Sequence, residues 1–241
     1  MEKSEQKGVF HFKQFRVSHR RSTLKVGTDA VLLGIWAQAR DASKILDIGT
    51  GNGVIALLMS QRFEDSKIVA IDIDKESIEE ARCNFDNSPW HSRIVAIHQD
   101  VLLYARQTQE HYDLIVCNPP FFEASLLSQN TKLNQAKHTL TLDYSSLFLS
   151  VNQLIAENGV FALICPYDKA DKVFQLAKQY QFHCRRKLVI YPKKSKSANR
   201  IIIEFDKTTS RCQSEQLIVY QEDNTYTSQY RRWGRDYYIN F

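Results

Sequence analysis

The sequence predicts a single α/β domain built on a mainly parallel β-sheet. The chain has 241 residues, 43% of them hydrophobic, and this length fits one hydrophobic core with a short extension. From residue 44 to residue 180, short β-branched runs alternate with longer amphipathic stretches, as in sheets covered by helices on both faces. Only 8 glycines and 5 prolines are present, and no tract is of low complexity, which excludes a disordered or fibrous chain.

The elements of the alternating part follow from its hydrophobic periodicity. Strands are expected over the short, continuous apolar runs Lys44–Ile48, Ile68–Ile71, Ile94–His98, Leu114–Cys117 and Val160–Cys165. Helices are expected where apolar residues recur at helical spacing, over Gly53–Arg62, Lys75–Asn84, the segment from the N-cap Asp143 to Glu157, and Ala170–Tyr180. Gly159 is expected to stop the helix that Asp143 begins.

The two ends of the chain depart from this alternation. Lys187–Tyr191, Arg200–Phe205 and Gln216–Tyr220 have no helix-length segment between them, so the sheet should finish antiparallel, with the basic turn Pro192–Asn199 at a hairpin tip. Near the start, Val9–Val17 predicts a strand or hairpin, and Thr28 is expected to cap a helix through Ala39. We therefore divide the chain into an N-terminal extension, residues 1–43, and a main domain, residues 44–241.

The charge is distributed unevenly along the chain. Overall, 32 Lys and Arg oppose 27 Asp and Glu, for a net charge of +5. Residues 183–200 hold seven cations and no acid, residues 11–25 hold five cations and no acid, and the rest of the chain therefore carries a net charge of −7. An acidic body with two basic segments indicates a polyanionic partner, although a solvated face with a lysine-rich hairpin tip would produce the same pattern.

Cysteine and histidine usage argues against a disulfide framework and a metal centre. The five cysteines are odd in number and form no CxxC pair, and the seven histidines form no HxH or HExxH motif. The N-terminus has no apolar segment of the signal-peptide kind, and no apolar run approaches the 18 or so residues that cross a bilayer. We expect a soluble, cytoplasmic protein that binds no metal.

The most specific local signal is ILDIGTGNG, from Ile45 to Gly53, between a predicted strand and a predicted helix. Glycines at 49, 51 and 53 permit a tight turn and a close approach of a ligand to the backbone. A dinucleotide-binding GxGxxG would place its third glycine at position 54, which is Val54. Asp47, just before the turn, repels a phosphate and suits an ammonium group.

Two further aspartates follow the next two predicted strands. Asp72, in VAIDID, is placed to accept both hydroxyls of a ribose, and Asp100, in HQDV, is placed to accept from an adenine amino group. An ammonium, a ribose and an adenine in this order describe S-adenosylmethionine (SAM). The alternative is a plain turn with aspartates that only cap strand ends.

NPPF, from Asn118 to Phe121, follows the strand predicted before it, at the sheet edge where open α/β folds bind ligands. Its prolines lack N–H donors, so the turn presents carbonyl oxygens, and the side-chain carbonyl of Asn118 adds another acceptor. These acceptors suit a planar NH₂ group, and Phe121 suits the face of a planar base. A structural Asn-Pro-Pro turn is the alternative.

In this order, ILDIGTGNG, VAIDID, HQD and NPPF resemble class I SAM-dependent methyltransferases that act on exocyclic amines. More narrowly, FKQFRV, LKVGTDAVLLGIWA, NSPW and QAKHTLTLDYSSL are similar to bacterial valine-tRNA adenine-N6 methyltransferases, which modify the adenosine 3′ of the anticodon, position 37. The resemblance spans nearly the whole chain. It implies a Rossmann-like fold with a mainly parallel, seven-stranded sheet that has antiparallel C-terminal strands.

The resemblance also implies roles for individual residues. It places Asp47, Gly49, Gly51 and Asn52 at the methionine end of SAM, Asp72 at the ribose, Asp100 and Val101 at the adenine, and Asn118, Pro119, Pro120 and Phe121 at the target amine. Thr28 and Asp29 would close over the cofactor. The partner would be a tRNA, met by a monomer through the cations Arg16, Arg20, Arg21, Arg185, Arg186, Lys193, Lys194 and Lys196.

Three other functions remain open from the residues alone. Many amino-adenine methyltransferases read NPPY, whereas NPPF also occurs in guanine-N2 methyltransferases of ribosomal RNA. Protein-glutamine N5 methyltransferases use an Asn-Pro-Pro-aromatic turn as well, although the basic segments favour a nucleic acid. A module that binds SAM or RNA without catalysis is the alternative outside the enzymes.

Overall fold

The computed structural model describes residues 8–21, 25–119, 142–208 and 211–241. Its strands are β1 (Val9–His11), β2 (Arg16–Ser18), β3 (Lys44–Ile48), β4 (Lys67–Asp72), β5 (Ile94–His98), β6 (Tyr112–Cys117), β7 (Ile155–Pro166), β8 (His183–Tyr191), β9 (Arg200–Asp206) and β10 (Gln213–Ile218). Its helices are α1 (Thr28–Trp36), α2 (Val54–Arg62), α3 (Lys75–Asp86), α4 (Val101–Gln107), α5 (Tyr144–Leu154), α6 (Ala170–Gln179) and α7 (Ser228–Gly234). None of the helices in these ranges is long and apolar enough to span a membrane.

Strands β3 to β10 form one sheet in the order β10-β8-β9-β7-β6-β3-β4-β5. Strand β9 is antiparallel to both of its neighbours, β7 and β8, and all the other pairs are parallel. The predicted α/β class with a mainly parallel sheet is confirmed. Separately, β1 and β2 form an antiparallel hairpin, as predicted near the start of the chain.

The C-terminal part of the sheet differs from the prediction in one strand. Among the described residues the sheet has eight strands, one more than the seven that the resemblance implies. Strand β10 is parallel to β8, not antiparallel to it. The register shows why: β9 ends at Asp206 opposite His183, the first residue of β8, and β10 starts at Gln213 opposite Arg186, so β10 and β8 start at the same edge of the sheet.

The boundaries of two helices also differ from those predicted from the hydrophobic periodicity. Asp143 caps α5 as predicted, accepting hydrogen bonds from the amides of Ser145 and Ser146, but α5 ends at Leu154 and β7 begins at once. Gly159, expected to stop the helix, therefore lies inside β7. A Cβ at this position would approach the carbonyl oxygen of Tyr112 to 2.7 Å, so glycine is needed for close strand contact and not for a helix stop.

Helix α1 begins and ends differently from its prediction. Its N-cap is Gly27, so Thr28 is the first helical residue and not the cap, and the helix ends at Trp36, short of Ala39. The Arg62 guanidinium donates to the carbonyl oxygens of Gly34 and Ala37, at 2.8 and 2.7 Å. These bonds satisfy carbonyls that a helix C-terminus leaves without partners.

Two hydrophobic clusters cover the two faces of the sheet. One joins the N-terminal hairpin, α1, α2 and the C-terminal segment, with Val17, Leu33, Leu57 and Tyr230 among its buried members. The other lies under α5 and α6 and includes Phe148 and other buried aromatics. The N-terminal hairpin thus packs on the main core, and the proposed division of the chain at residue 43 stays a prediction.

The structure pairs Cys184 with Cys212 as a disulfide, with their Cα atoms 5.4 Å apart. Cys83, Cys117 and Cys165 are free. The spacing of the cysteines in the sequence does not predict this pair, because the two residues are brought together by the parallel packing of β10 on β8.

Candidate active site

The predicted site residues converge on one edge of the sheet. Ile48, at the end of β3, pairs with Ile71 of β4 and with Cys117 of β6, so these strands end side by side. In adjacent order along this edge lie Asn118 after β6, the glycine loop (residues 49–53) after β3, Asp72 at the end of β4, and Asp100 after β5. This is the edge at which open α/β sheets bind ligands.

The three glycines of the glycine loop serve two purposes. Gly49, Gly51 and Gly53 have φ angles of 70°, 56° and 83°, in the left-handed region that favours glycine. A Cβ on Gly53 would meet the Phe85 ring at 2.4 Å, so that glycine permits packing of α3 against the loop. A Cβ on Gly49 or Gly51 would meet nothing within 4 Å among the described residues, so the loop borders open space there.

Asp47 lies fully buried beneath the glycine loop. Its Oδ2 accepts a hydrogen bond from the Thr50 hydroxyl at 2.6 Å, whereas its Oδ1 has no hydrogen-bond partner among the described residues. Burial raises the pKa of Asp47 to about 7; the charge of Asp72 adds to the rise, and the Thr50 hydroxyl opposes it. A buried carboxylate oxygen without a partner is a strong acceptor for an incoming cation.

Asp72 is tied to the glycine loop by hydrogen bonds. Its Oδ2 accepts from the Gly51 amide at 2.8 Å, and its Oδ1 accepts from the Asp74 amide at 2.9 Å. Burial raises the pKa of Asp72, and these amides partly offset that effect. The carboxylate is therefore held in a fixed orientation at the end of β4.

Asp100 is the N-cap of α4. Its Oδ1 accepts from the amides of Leu102 and Leu103, at 2.7 and 3.3 Å. Both bonds are made by one oxygen of the carboxylate. Val101, the first residue of α4, is buried directly beside it. Asp100 thus caps the start of a helix, and its predicted contact with adenine stays a prediction.

Asn118 stands where a target amine is expected. It directly follows β6, and its Oδ1 is buried with no hydrogen-bond partner among the described residues. Pro119, also buried, follows it and has no N–H to offer this oxygen. Pro120 and Phe121 lie outside the described residues.

Asp29 meets a residue that sequence reasoning did not connect with it. Its Oδ2 accepts from Arg200 Nε at 2.8 Å, which joins the first turn of α1 to the start of β9. Arg200 pairs with Pro166 at the end of β7, so the ion pair lies on the same sheet edge as Asn118. Closure of Thr28 and Asp29 over the cofactor stays a prediction.

The cations of residues 183–200 that are predicted to contact RNA lie at two opposite edges of the sheet. Lys193, Lys194 and Lys196 lie in the basic loop, residues 192–199, which joins β8 to β9 at the edge of the candidate site. Arg185 and Arg186 lie near the start of β8, at the opposite edge.

Arg186 is buried and Arg185 is partly exposed, and both pair with acidic side chains of the sheet. Arg186 contacts Glu204 and Glu215 at 3.3 and 3.1 Å, and its guanidinium lies 4.1 Å from the centre of the Trp36 ring. Arg185 pairs with Glu204 at 3.6 Å. These ion pairs compete with RNA for Arg185 and Arg186. RNA binding by the basic loop and by Arg16, Arg20 and Arg21 stays a prediction.

A family model described as the methyltransferase small domain matches residues 18–161 of the chain. The chain belongs to this family. It is 37% identical to a protein of Proteus mirabilis (strain HI4320) over 98% of this chain and 95% of that one, and 38% identical to a protein of Bacteroides thetaiotaomicron over 96% and 97%. Both relatives are named tRNA1(Val) (adenine(37)-N6)-methyltransferase.

Solved structures support the same fold. The chain matches the predicted O-methyltransferase Atu636 from Agrobacterium tumefaciens with a TM-score of 0.67 and 20% identity, covering 89% of this chain and all of that one. NSun6 from Pyrococcus horikoshii, solved with SFG, matches with a TM-score of 0.58 and 13% identity over 77% of this chain and 53% of that one. The family fold predicted from the motifs is confirmed.

The site fits the family's cofactor, SAM. The unpartnered Oδ1 of Asp47 suits the ammonium of the methionine end, and the open space beside Gly49 and Gly51 admits a ligand close to the backbone. Asp72 presents a fixed carboxylate on the neighbouring strand for ribose hydroxyls. A cationic cofactor would also meet the carboxyl groups of Asp47 and Asp72, in contrast to the basic loop along the same edge.

Sequence reasoning missed two residues of this site. Thr50 was treated as part of a turn, although its hydroxyl holds Asp47; a hydroxyl three residues after a buried acid is the signal that indicates it. Arg200 was treated only as one cation of a basic segment. No sequence signal could have paired it with Asp29, because the contact depends on how α1 packs beside β9.

Proposed function

We propose that this protein transfers the methyl group of SAM to the N6 amine of adenosine 37 in a valine tRNA. The observation that carries the proposal is the buried Oδ1 of Asn118, which has no hydrogen-bond partner in the described part of the chain and lies at the sheet edge shared with the glycine loop. The relatives named above, at 37% and 38% identity over nearly the whole chain, support the choice of adenosine and of this tRNA. A tRNA substrate implies a cytoplasmic enzyme.

Asn118 would act by orienting the target amine. Its Oδ1 accepts one N–H of the adenine amino group, which draws the nitrogen lone pair out of conjugation with the ring. When bound, SAM supplies an electrophilic methyl group on a sulfonium. A neutral amine can lose its proton after the transfer, so the chain needs no general base, and alignment of well-oriented groups is worth about 7–11 kcal/mol.

Cysteine chemistry is not needed for this reaction. Burial raises the pKa of the Cys117 thiol well above its ordinary value, and the nearby charges of Asp47 and Asp72 act in the same direction. Cys117 therefore stays a neutral thiol next to Asn118, and a thiolate is the form that attacks electrophiles. The target adenosine must leave its base stack to reach Asn118.

Features along the same edge suit a single-stranded nucleic acid. Tyr167, which follows β7, is an exposed aromatic, and its amide donates to the carbonyl oxygen of Asn199 in the basic loop at 3.1 Å. Between Asn118 and the basic loop the edge therefore offers an aromatic face and then cations, the two features that bind unpaired strands. The basic loop is braced by Glu222, which accepts from the Ser195 amide at 3.1 Å.

The decisive experiment combines labelled SAM with unmodified valine tRNA and identifies the methylated nucleoside by mass spectrometry. We expect N6-methyladenosine from the wild type, and no turnover from Asn118→Ala, with SAM affinity within a few fold of the wild type. Parallel reactions replace the tRNA with ribosomal RNA or with a protein substrate. N2-methylguanosine in the ribosomal RNA, methylated glutamine in the protein, or no product from any substrate would each refute the proposal in favour of an alternative named above. Wild-type turnover by Asn118→Ala would refute the role of Asn118.

A further inference from the structure

Asn84, on α3, links two segments that are distant in sequence. Its Nδ2 donates to the Asn52 carbonyl oxygen in the glycine loop at 2.8 Å and to the Ser18 carbonyl oxygen at the end of β2 at 2.9 Å. Its Oδ1 accepts from the Ser18 amide at 2.8 Å. The residue is only 5% exposed. One amide thus makes three of the four hydrogen bonds open to it.

Glu80, one turn earlier on the same helix face, holds the continuation of that segment. Its Oε1 accepts from the Ser18 hydroxyl at 3.0 Å and from the backbone amides of Arg20 and Arg21 at 2.6 and 3.1 Å. Residues four apart on a helix lie side by side, so Glu80 and Asn84 act on one stretch of chain. Together they fix the path of residues 18–21, which carry two of the predicted RNA contacts.

The glycine loop end of this link is equally constrained. Within the loop, the Gly51 amide donates to Asp72, and a Cβ on Gly53 would meet the Phe85 ring at 2.4 Å, so the loop lies close against α3. The Asn52 side chain is itself buried, and its Oδ1 accepts from the Val54 amide at 3.2 Å. A movement of the loop backbone at Asn52 therefore either moves the Asn84 side chain with it or breaks the hydrogen bond from Asn84 to the Asn52 carbonyl oxygen.

We propose that Asn84 is a positioning residue that couples occupancy of the glycine loop to the placement of residues 18–21, so that SAM and RNA bind cooperatively. The inference rests on the proposed function, because it takes the loop as the SAM site and residues 18–21 as an RNA contact. Coupling of this kind is reciprocal: each ligand raises the affinity of the other by the same factor.

The test measures the Kd of S-adenosylhomocysteine by calorimetry, with and without saturating unmodified valine tRNA transcript. In the wild type we expect the RNA to tighten binding at least about 5-fold, the low end of typical allosteric coupling. Asn84→Ala should lower this factor to below about 2-fold. Asn87→Ala is the matched control: Asn87 caps the same helix, and its amide donates to Cys83 in that helix, so the coupling should persist.

A second variant covers the case in which Asn84→Ala fails to fold. Glu80→Gln keeps the shape of the side chain but removes the charge that holds the amides of Arg20 and Arg21, so the coupling factor should fall while binding of S-adenosylhomocysteine alone is unchanged. Circular dichroism establishes which variants are folded. If Asn84 had a merely structural role, its replacement would weaken the binding of both ligands, but the ratio of the S-adenosylhomocysteine Kd values without and with tRNA would not change.

Two outcomes overturn the inference alone: a wild type that methylates tRNA without any coupling, and a folded Asn84→Ala or Glu80→Gln protein with full coupling. A wild type that neither binds tRNA nor methylates it overturns the proposed function, and the inference falls with it. The methylation assay on the wild type therefore separates the two failures.

Discussion

Asp47 offers the sharpest test of how the site is built. Burial raises its pKa to about 7, from an ordinary value of about 4. Because the folded-state pKa is the higher one, the folded protein binds the proton more tightly than the unfolded chain does. Its stability should therefore decline as pH rises from about 4 to about 7, and the decline should level off above that.

The size of this effect follows from the shift. Each pKa unit corresponds to about 1.4 kcal/mol, so a shift of about three units destabilises the cofactor-free protein by about 4 kcal/mol at about pH 8. Asp47→Asn carries no charge at any pH and lacks this term. The variant should therefore match the wild type at about pH 4 and exceed its free energy of unfolding by up to about 4 kcal/mol at about pH 8.

The assay is urea unfolding followed by circular dichroism over this pH range, with the affinity for S-adenosylhomocysteine measured in parallel. The variant should lose a charge-assisted hydrogen bond worth about 1.5–3 kcal/mol, or about 10- to 150-fold in affinity. Stability curves of wild type and variant that run parallel across pH would refute the argument from burial. Unchanged ligand affinity would refute the argument from the unpartnered oxygen.

Asp113 lies near the start of β6, away from the candidate site, and provides a control because its pKa is shifted in the opposite direction to that of Asp47. Partial burial acts to raise its pKa, but hydrogen bonds from the Lys44 amide and from Ser43 lower it overall. A lowered pKa contributes stability that is present above the unfolded value and is lost as pH falls through the folded value. Asp113→Asn should therefore destabilise the protein at neutral pH, and the difference should shrink in acid.

Three further predictions concern the same edge and the opposite one. Replacing the basic-loop lysines with alanine should weaken tRNA binding and flatten its salt dependence, by up to about 0.9 log unit per log salt for each lost phosphate contact; an unchanged slope in a filter-binding assay would contradict this. Arg186→Leu should lower the free energy of unfolding by about 1.5–3 kcal/mol in urea titrations, because the buried Glu204 loses its contact with Arg186 and keeps only Arg185 and the Gln38 amide, while tRNA affinity of the folded protein stays unchanged. Thr50→Val removes the hydroxyl that holds Asp47, so binding of S-adenosylhomocysteine should weaken and its pH dependence should shift upward; calorimetry at several pH values tests this.

The position of the site was predictable from the sequence because parallel strands bring their carboxyl ends to one edge. Asp47, Asp72 and Asn118 each mark the end of a short apolar run, and that alone places them together. What these side chains bind was less predictable. Asp100 caps α4, because local hydrogen bonding at a helix start competes with any role toward a ligand. Thr28 is the first residue of α1 and not its cap.

The basic segment of residues 183–200 shows why charge counted along a chain differs from charge in space. The segment contains the whole of β8, a strand of nine residues and about 30 Å, so it starts at one edge of the sheet and ends at the other. Arg186 lies near the first edge, where buried Glu204 sits opposite it on β9 and neutralises it. Lys194 and Lys196 lie beyond the second edge, exposed beside the candidate site. One continuous stretch of sequence therefore supplies an internal ion pair at one end and exposed cations at the other. Only the exposed cations can contribute to RNA binding that weakens as the salt concentration rises.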